Sequence, residues 1–506
     1  MRIRMVLLLT LGVLVLNAAG SLATIEPSHI IAGYATAKKP AEPMLINQIV
    51  TDPSEILSTE ELQSILESYE GEAVDIDTLQ KVVEEINQLY SEKGFITAKA
   101  LLPPQDVEDG VVYIQLVEGR LGRLLLEGNS STSDRFIQGR ISLESEDIIK
   151  LDLLEQDILY LNKTSDVNLR GELSAGESFG KTDVMLIVSE PSLSQAVFFL
   201  DNAGRSETSS YRWGTTLVNR SVFGYRDPLT ISAVQGEGSL SGSISYNWPL
   251  SRSGTRLGTS YDLSSVNVIS GEFETVEIAA HSSGLSVFLT HPMVVEAPRV
   301  VEGFMEWHQR KSRTFFSSHQ LLESKSTSTV MGLTMETIGS RQHTNSVSSV
   351  TFGVNDAGVD QDFMKLNWYY NSHYVQENDN QFIHRLALQW SASRLLPPAE
   401  QFAVGGMATV RGYAEGLLTG DSGYLISMEY KTTVSDRLIG MLFFDHGAAF
   451  PYKGNEEPIT YEDFLTSIGA SATIRFTDNV SGQLVLGLPL TGTRSIRVHF
   501  STQSVF

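Results

Sequence analysis

The chain has 506 residues, no cysteine, 37 Lys and Arg against 60 Asp and Glu, and a formal net charge of -23. The lack of cysteine excludes a disulfide framework and thiolate metal sites, and the acidity argues against nucleic acid as a partner. Beyond the N-terminus no stretch reaches the ~18 consecutive apolar residues of a spanning helix, which leaves a soluble exported protein or a β-barrel.

Export is read from the first residues. Arg2 and Arg4 form a positive start, Met5 to Leu16 is apolar except at Thr10 and Gly12, and Ser21-Leu22-Ala23 offers small residues for cleavage after Ala23. Residues 1–23 are therefore expected to be a signal peptide; a buried core helix is the alternative. Pro27, Gly33, Pro40 and Pro43 make residues 24–44 a linker, without a clear helix to plug a pore.

From there to Pro191 helices and strands alternate. Ile46 to Val50 can be a strand. Ser58 with Glu61 three residues on forms a capping box for a short helix with Leu62, Ile65, Leu66 and Tyr69 on one face. Asp77 can cap a second helix, where Leu79, Val82, Val83, Ile86, Leu89 and Tyr90 follow the 3.6 period, and Gly94 stops it. Strands are expected over Phe95–Leu101 and Val111–Val117. The pattern repeats once: a strand at Leu124–Leu126, helices at Asp134–Ile141 and around Leu151, Leu154, Ile158 and Leu161, then strands at Val167–Leu173 and Asp183–Val188.

This order, with Gly94-Phe95-Ile96-Thr97, Leu102-Pro103-Pro104-Gln105 and Val117-Glu118-Gly119, resembles the polypeptide-transport-associated (POTRA) domain of two-partner secretion transporters. The boundaries expected from it are 45–119 for a first POTRA domain and 120–191 for a second. An ordinary α+β domain with Pro-rich turns is the other reading.

After Pro191 the period changes to two. Ile244, Tyr246, Trp248 and Leu250 alternate with Ser243, Ser245 and Asn247; Leu257, Thr259, Tyr261 and Leu263 with Gly258, Ser260 and Asp262; Ile468, Ala470, Ala472, Ile474 and Phe476 with Gly469, Ser471, Thr473 and Arg475. One face suits lipid and the other a wet lumen. A β-sandwich shares the period, but segment length and aromatics near segment ends favour a membrane barrel over 192–506. About 20 residues per strand and connection fit sixteen strands, and fourteen or eighteen almost as well; sixteen is what the family resemblance implies. The chain ends at Phe506, on one strand face with Ile496, Val498 and Phe500 and opposite Arg497 and His499, in the manner of a C-terminal assembly signal of outer-membrane proteins.

The most specific pattern is Val410-Arg411-Gly412-Tyr413, after Gly405-Gly406 and before Gly420-Asp421-Ser422-Gly423. Phe402 to Gly423 resembles the sixth extracellular loop of the Omp85 superfamily in its two-partner secretion form. The resemblance implies that this loop folds into the barrel and that Arg411 meets Asp445 of Phe443-Phe444-Asp445-His446-Gly447 on the wall. A guanidinium in a partly dry lumen needs such a carboxylate. A surface loop with a solvated Arg is the bland alternative. Asp201-Asn202-Ala203-Gly204 and Phe223-Gly224-Tyr225-Arg226-Asp227-Pro228 resemble the family's first barrel hairpin, and His291-Pro292 and Leu488-Pro489-Leu490 its strand-end prolines.

A decoy remains. Ala279-Ala280-His281-Ser282 and Gly420-Asp421-Ser422-Gly423 mimic the His and Ser boxes of chymotrypsin-like proteases, but Tyr424 stands where a second Gly belongs. No metal-ligand spacing or phosphate-cradling loop is found.

The expected fold is thus an all-β transmembrane barrel of about 16 antiparallel strands preceded by two small α+β POTRA domains. The expected function is secretion or activation of one large exoprotein, without catalysis or cofactor. The expected partners are that haemolysin- or adhesin-like protein, outer-membrane lipid and, during biogenesis, the barrel assembly machinery. An Omp85-type insertase and a diffusion porin are the rival transport readings.

Overall fold

The computed structural model describes residues 43–506 apart from 272–273, 357–361, 394, 451–459 and 493–494. The expected signal peptide, and the expected linker up to residue 42, lie outside the described residues.

Two α/β units come first. In the first, Ser58 and Glu61 exchange both bonds of the capping box at the start of helix Thr59–Leu66. The second helix, Ile76–Glu92, begins earlier than the sequence indicated. Asp75 rather than Asp77 caps it, accepting from the Thr78 N–H at 2.9 Å. Gly94, at φ +84°, supplies the left-handed turn after its end. The buried faces of both helices (Leu62 and Leu66; Leu79, Val82, Ile86 and Tyr90) cover a three-stranded sheet in which Gln48–Thr51 runs parallel to Val111–Val117 and Lys99–Leu101 antiparallel to it. The strand expected over Phe95–Leu101 is only Lys99–Leu101, because the helix stop and a turn consume the residues before it. A short pair, Met44–Leu45 with Ala73–Val74, was not anticipated.

The second unit repeats the plan. Helices Asp134–Gln138 and Leu151–Thr164 pack on a sheet in which Arg120–Glu127 lies parallel to Lys181–Ser189 and Asn168–Ala175 antiparallel to it. Its core holds Phe136, Ile137, Ile149, Leu154, Leu161, Val184 and Leu186. Each unit thus buries one helix layer on one sheet face.

Sixteen antiparallel strands then close a barrel, the number that the family resemblance implies and one of those that the sequence pattern allows. The first is Ser194–Asp201 and the last Arg497–Val505, and Ser501–Val505 pair with Val197–Asp201 to shut it. Phe506 extends the seam: its backbone exchanges two 2.9 Å bonds with Ala196, and its ring meets Phe198 edge-on at 6.4 Å. Ile244, Leu257, Tyr261, Leu263, Leu388, Trp390, Ile468 and Ile474 are exposed on the outside, where a bilayer would cover them. His291-Pro292 does not end a strand. It lies inside the sixth, Ile278–Val295, at a register shift that accommodates the missing N–H. Among the described residues no helix is long and apolar enough to cross a membrane.

Two turns at the end of the barrel nearest the α/β units dock on the second unit. In the turn after the second strand, buried Arg226 donates to Asp166 (Nε at 2.6 Å, and Nη2) and to Ser131 Oγ at 3.1 Å. Asp227, fully buried, accepts from the N–H groups of Phe223 and Tyr225 and from the Tyr246 hydroxyl. In the next such turn the carbonyls of Ser251 and Ser253 accept from Arg140 and Tyr160. Burial, with Arg256 and Arg252 nearby, lowers the Arg140 guanidinium to about 10.

Candidate functional site in the barrel lumen

The segment between the eleventh strand, Gln381–Ser391, and the twelfth, Ser422–Ser435, turns back into the barrel. Its root is tied by Asp421, whose carboxylate accepts from the N–H groups of Leu395 and Leu396 at 3.0 and 2.9 Å. Two short strands, Phe402–Val404 and Leu418–Gly420, pair to form its stem. Gly405 and Gly406 then turn with φ of +106° and +102°, which side chains rarely adopt. Phe402, Val404, Val410 and Tyr413 pack on Leu425, Ala449 and Leu465 of the wall. The loop therefore has its own apolar footing inside the barrel.

At its tip, Arg411 and Asp445 come together. Nε and Nη2 of Arg411 each reach a carboxylate oxygen of Asp445 at 2.7 Å, and the Arg411 backbone N–H reaches it at 3.1 Å. Asp445 is wholly buried and Arg411 almost so. Strand parity puts Asp445 on the inside of the thirteenth strand, Leu438–Phe450, while Leu442 and Phe444 are exposed outside.

The other site residues surround this pair. Gly412, at φ +97°, lies flat on the wall at Gly487, where a Cβ on Gly487 would stand 2.5 Å from the Gly412 nitrogen. The Tyr413 hydroxyl lies 2.7 Å from Thr491 Oγ1 and 2.8 Å from the Thr466 carbonyl. Val410 is buried, and Gly447 leaves the space that Val404 and Val410 fill. Phe506 lies elsewhere, at the barrel seam.

Sequence reasoning missed half of the socket. Nη1 of Arg411 also meets Glu429 at 2.8 Å, and Glu429 is shared with Arg385. The guanidinium stacks 3.7 Å from the centre of the Phe443 ring. Ser427 donates to Asp445 at 2.8 Å. Nearer the root, Lys365 pairs with Glu400 at 2.7 Å. The alternation of Ser427 and Glu429 with the exposed Met428 is a signal that could have placed the first two inward, but nothing in the sequence aims them at Arg411.

The protease-like boxes lie apart. His281 sits on the sixth strand with its ring against Phe315, while Ser422 Oγ, on the twelfth, accepts from the Ser391 N–H at 3.0 Å. Among the described residues no group of His, Asp or Glu is arranged to hold a metal ion.

A closed sixteen-strand barrel with α/β units before it and a loop latched in its lumen defines a class, the outer-membrane transport barrels of the Omp85 superfamily. Residues 180–476 match the family model of haemolysin secretion/activation proteins, and residues 44–119 that of the ShlB-type POTRA domain. The chain belongs to the haemolysin secretion/activation family, the transporters of two-partner secretion. It is an outer-membrane protein whose POTRA region lies in the periplasm. Relatives include a heme/hemopexin transporter of Haemophilus influenzae, 25% identical over 478 residues, covering 88% of this chain and 83% of the relative. The outer membrane transporter CdiB of Escherichia coli is 23% identical, covering 88% and 79%. Among solved structures, CdiB from Escherichia coli aligns with a TM-score of 0.66 and 18% identity over 96% of this chain and 93% of the other. BamA from Haemophilus ducreyi aligns at 0.57 and 14% identity over 92% and 100%.

Proposed function

We propose that this chain secretes one dedicated large exoprotein, with the latched lumen loop as the element that must yield. The reading rests above all on the Arg411 loop seated inside the barrel, which a simple diffusion porin has no need of. The relatives are transporters, one of heme/hemopexin by its name. In this reading the two modules, assigned to 45–119 and 120–191, receive the exported chain in the periplasm. Their sheet edges (Gln48–Thr51 and Lys99–Leu101 in the first, Arg120–Glu127 and Asn168–Ala175 in the second) offer backbone groups to an added strand. The chain then crosses the lumen as Arg411 leaves Asp445 and Glu429, and cargo folding outside supplies the drive. Val410, Gly412, Tyr413 and Gly447 seat the loop, and Phe506 closes the barrel. The role is transport, with no catalytic residue assigned.

The test is deletion of the gene followed by comparison of surface and secreted proteins. Loss of one large exoprotein, restored by the wild-type gene, is the expected outcome. Loss of many barrels instead would make the protein an insertase and overturn the proposal.

A further inference from the structure

Strands six to eight, Ile278–Val295, Arg299–Phe316 and His319–Ile338, have 18, 18 and 20 residues. Only ~9–11 residues are needed to cross the hydrocarbon layer. Both periplasmic turns beside them are short, at 296–298 and 339–341, so the surplus length projects on the extracellular side.

Parity separates the two faces. Phe304 is buried inside and its neighbour Met305 is exposed outside. The outward series on strand seven therefore runs Val301, Gly303, Met305, Trp307 and Gln309, nine residues that span the bilayer. The next two outward positions are Lys311 and Arg313. On strand eight, Met331 pairs with Met305, Lys325 with Lys311, and Glu323 with Arg313. Three cations thus occupy two successive rungs of the outer face, just above the apolar belt. Their side chains are 35%, 47% and 59% exposed for Lys311, Arg313 and Lys325.

Glu323 gathers the three. It lies 2.8 Å from Lys311, 3.0 Å from Arg313 and 3.6 Å from Lys325. Asp356 also borders the cluster, its carboxylate accepting the Lys325 backbone N–H at 2.6 Å. His281 faces Arg313 across the pair of strands, against the Phe315 ring. Glu323 holds the three cations together, and with Asp356 counted as well the cluster keeps a net positive charge, on a chain whose net charge is -23.

We infer that this cationic cluster binds the phosphate groups of the phosphorylated glycolipid that forms the outer leaflet of the membrane. The height is that of the headgroup layer. The face is continuous with the Met305, Trp307 and Met331 belt, which would hold the acyl chains. Clustered Lys and Arg make charge-assisted bonds to phosphate oxygens. An acidic stretch of exported protein is the other conceivable occupant, but it leaves by the lumen, on the far side of the wall.

The experiment uses full-length protein in detergent, with diphosphoryl lipid A and its dephosphorylated form as probes in native mass spectrometry. The wild type is expected to prefer the phosphorylated probe. The Lys311→Ser/Arg313→Ser/Lys325→Ser variant should lose on the order of a hundredfold in affinity, at about fivefold per cation. Glu323→Gln, which frees the cations, should bind more tightly. Equal binding of the two probes by the wild type overturns the assignment without recourse to any variant. Wild-type affinity in a triple variant that still runs as a folded barrel overturns it as well, whether or not secretion changes.

Discussion

Replacing Arg411 by Ala removes the latch and leaves its socket intact. Arg411 holds Asp445 through two 2.7 Å bonds and Glu429 through one of 2.8 Å, and all three groups are buried. Glu429 keeps Arg385 as a partner, but among the described residues Asp445 retains only Ser427 and a backbone N–H. Stranding a buried carboxylate in this way costs about 3–5 kcal/mol. Because water can reach a vacated lumen, we take the lower figure, about 3 kcal/mol, which is a factor of on the order of a hundred in the seated-to-unseated ratio. Arg411→Ala should therefore insert as a barrel, conduct more frequently in planar bilayers, expose the 402–423 loop to protease, and secrete poorly. Asp445→Ala alone should also unseat the loop. The double variant should cost far less than the sum of the two, since it removes both charges together. Strictly additive effects, or a closed and protease-resistant Arg411→Ala channel with normal secretion, would refute the latch.

Gly487→Val should unseat the loop tip with both charges untouched, because even a Cβ there would stand 2.5 Å from the Gly412 nitrogen; loop protease sensitivity reads it. Arg226→Ala should loosen the joint between the second unit and the barrel, since it strips Asp166 and Ser131 of a buried partner. Faster hydrogen exchange at 130–133 and 221–227 is the expected result, with barrel strands unchanged. The Glu190 carboxyl offers a pH test. Burial alone would raise it, but hydrogen bonds from Ser131, Thr132 and Ser130 outweigh that and hold it at about 2. Its folded value lies below the unfolded one, so its contribution is complete above about pH 4.5 and fades as pH falls toward 2. Glu190→Gln should accelerate exchange at 130–132 at pH 7, and the gap from wild type should narrow across that window.

Much of the fold was legible because local periodicity carried it. The 3.6 period of Leu79, Val82, Ile86 and Tyr90 and the period-two segments after Pro191 each announce an element that buries one face, whichever neighbour it finds. Boundaries were less legible: Asp75 and Asp77 can both cap a helix, and only the fold shows which one the Thr78 N–H meets. Strand number was likewise open, since barrel closure depends on pairing rather than on any one segment.

The sequence by itself determined the alternation that puts Asp445 inward and Leu442 and Phe444 outward, and the glycines that let the loop turn. That Arg411 would be buried against a carboxylate is an expectation from the family resemblance, and the residues alone leave a solvated surface loop open. Tertiary structure alone decided that Glu429, Phe443 and Ser427 complete that socket, that Gly487 is the floor under Gly412, and that Lys311, Arg313 and Lys325 cluster on neighbouring rungs around Glu323. Those relations are set by strand register and by where the loop seats on the wall, and neither can be read from one segment alone.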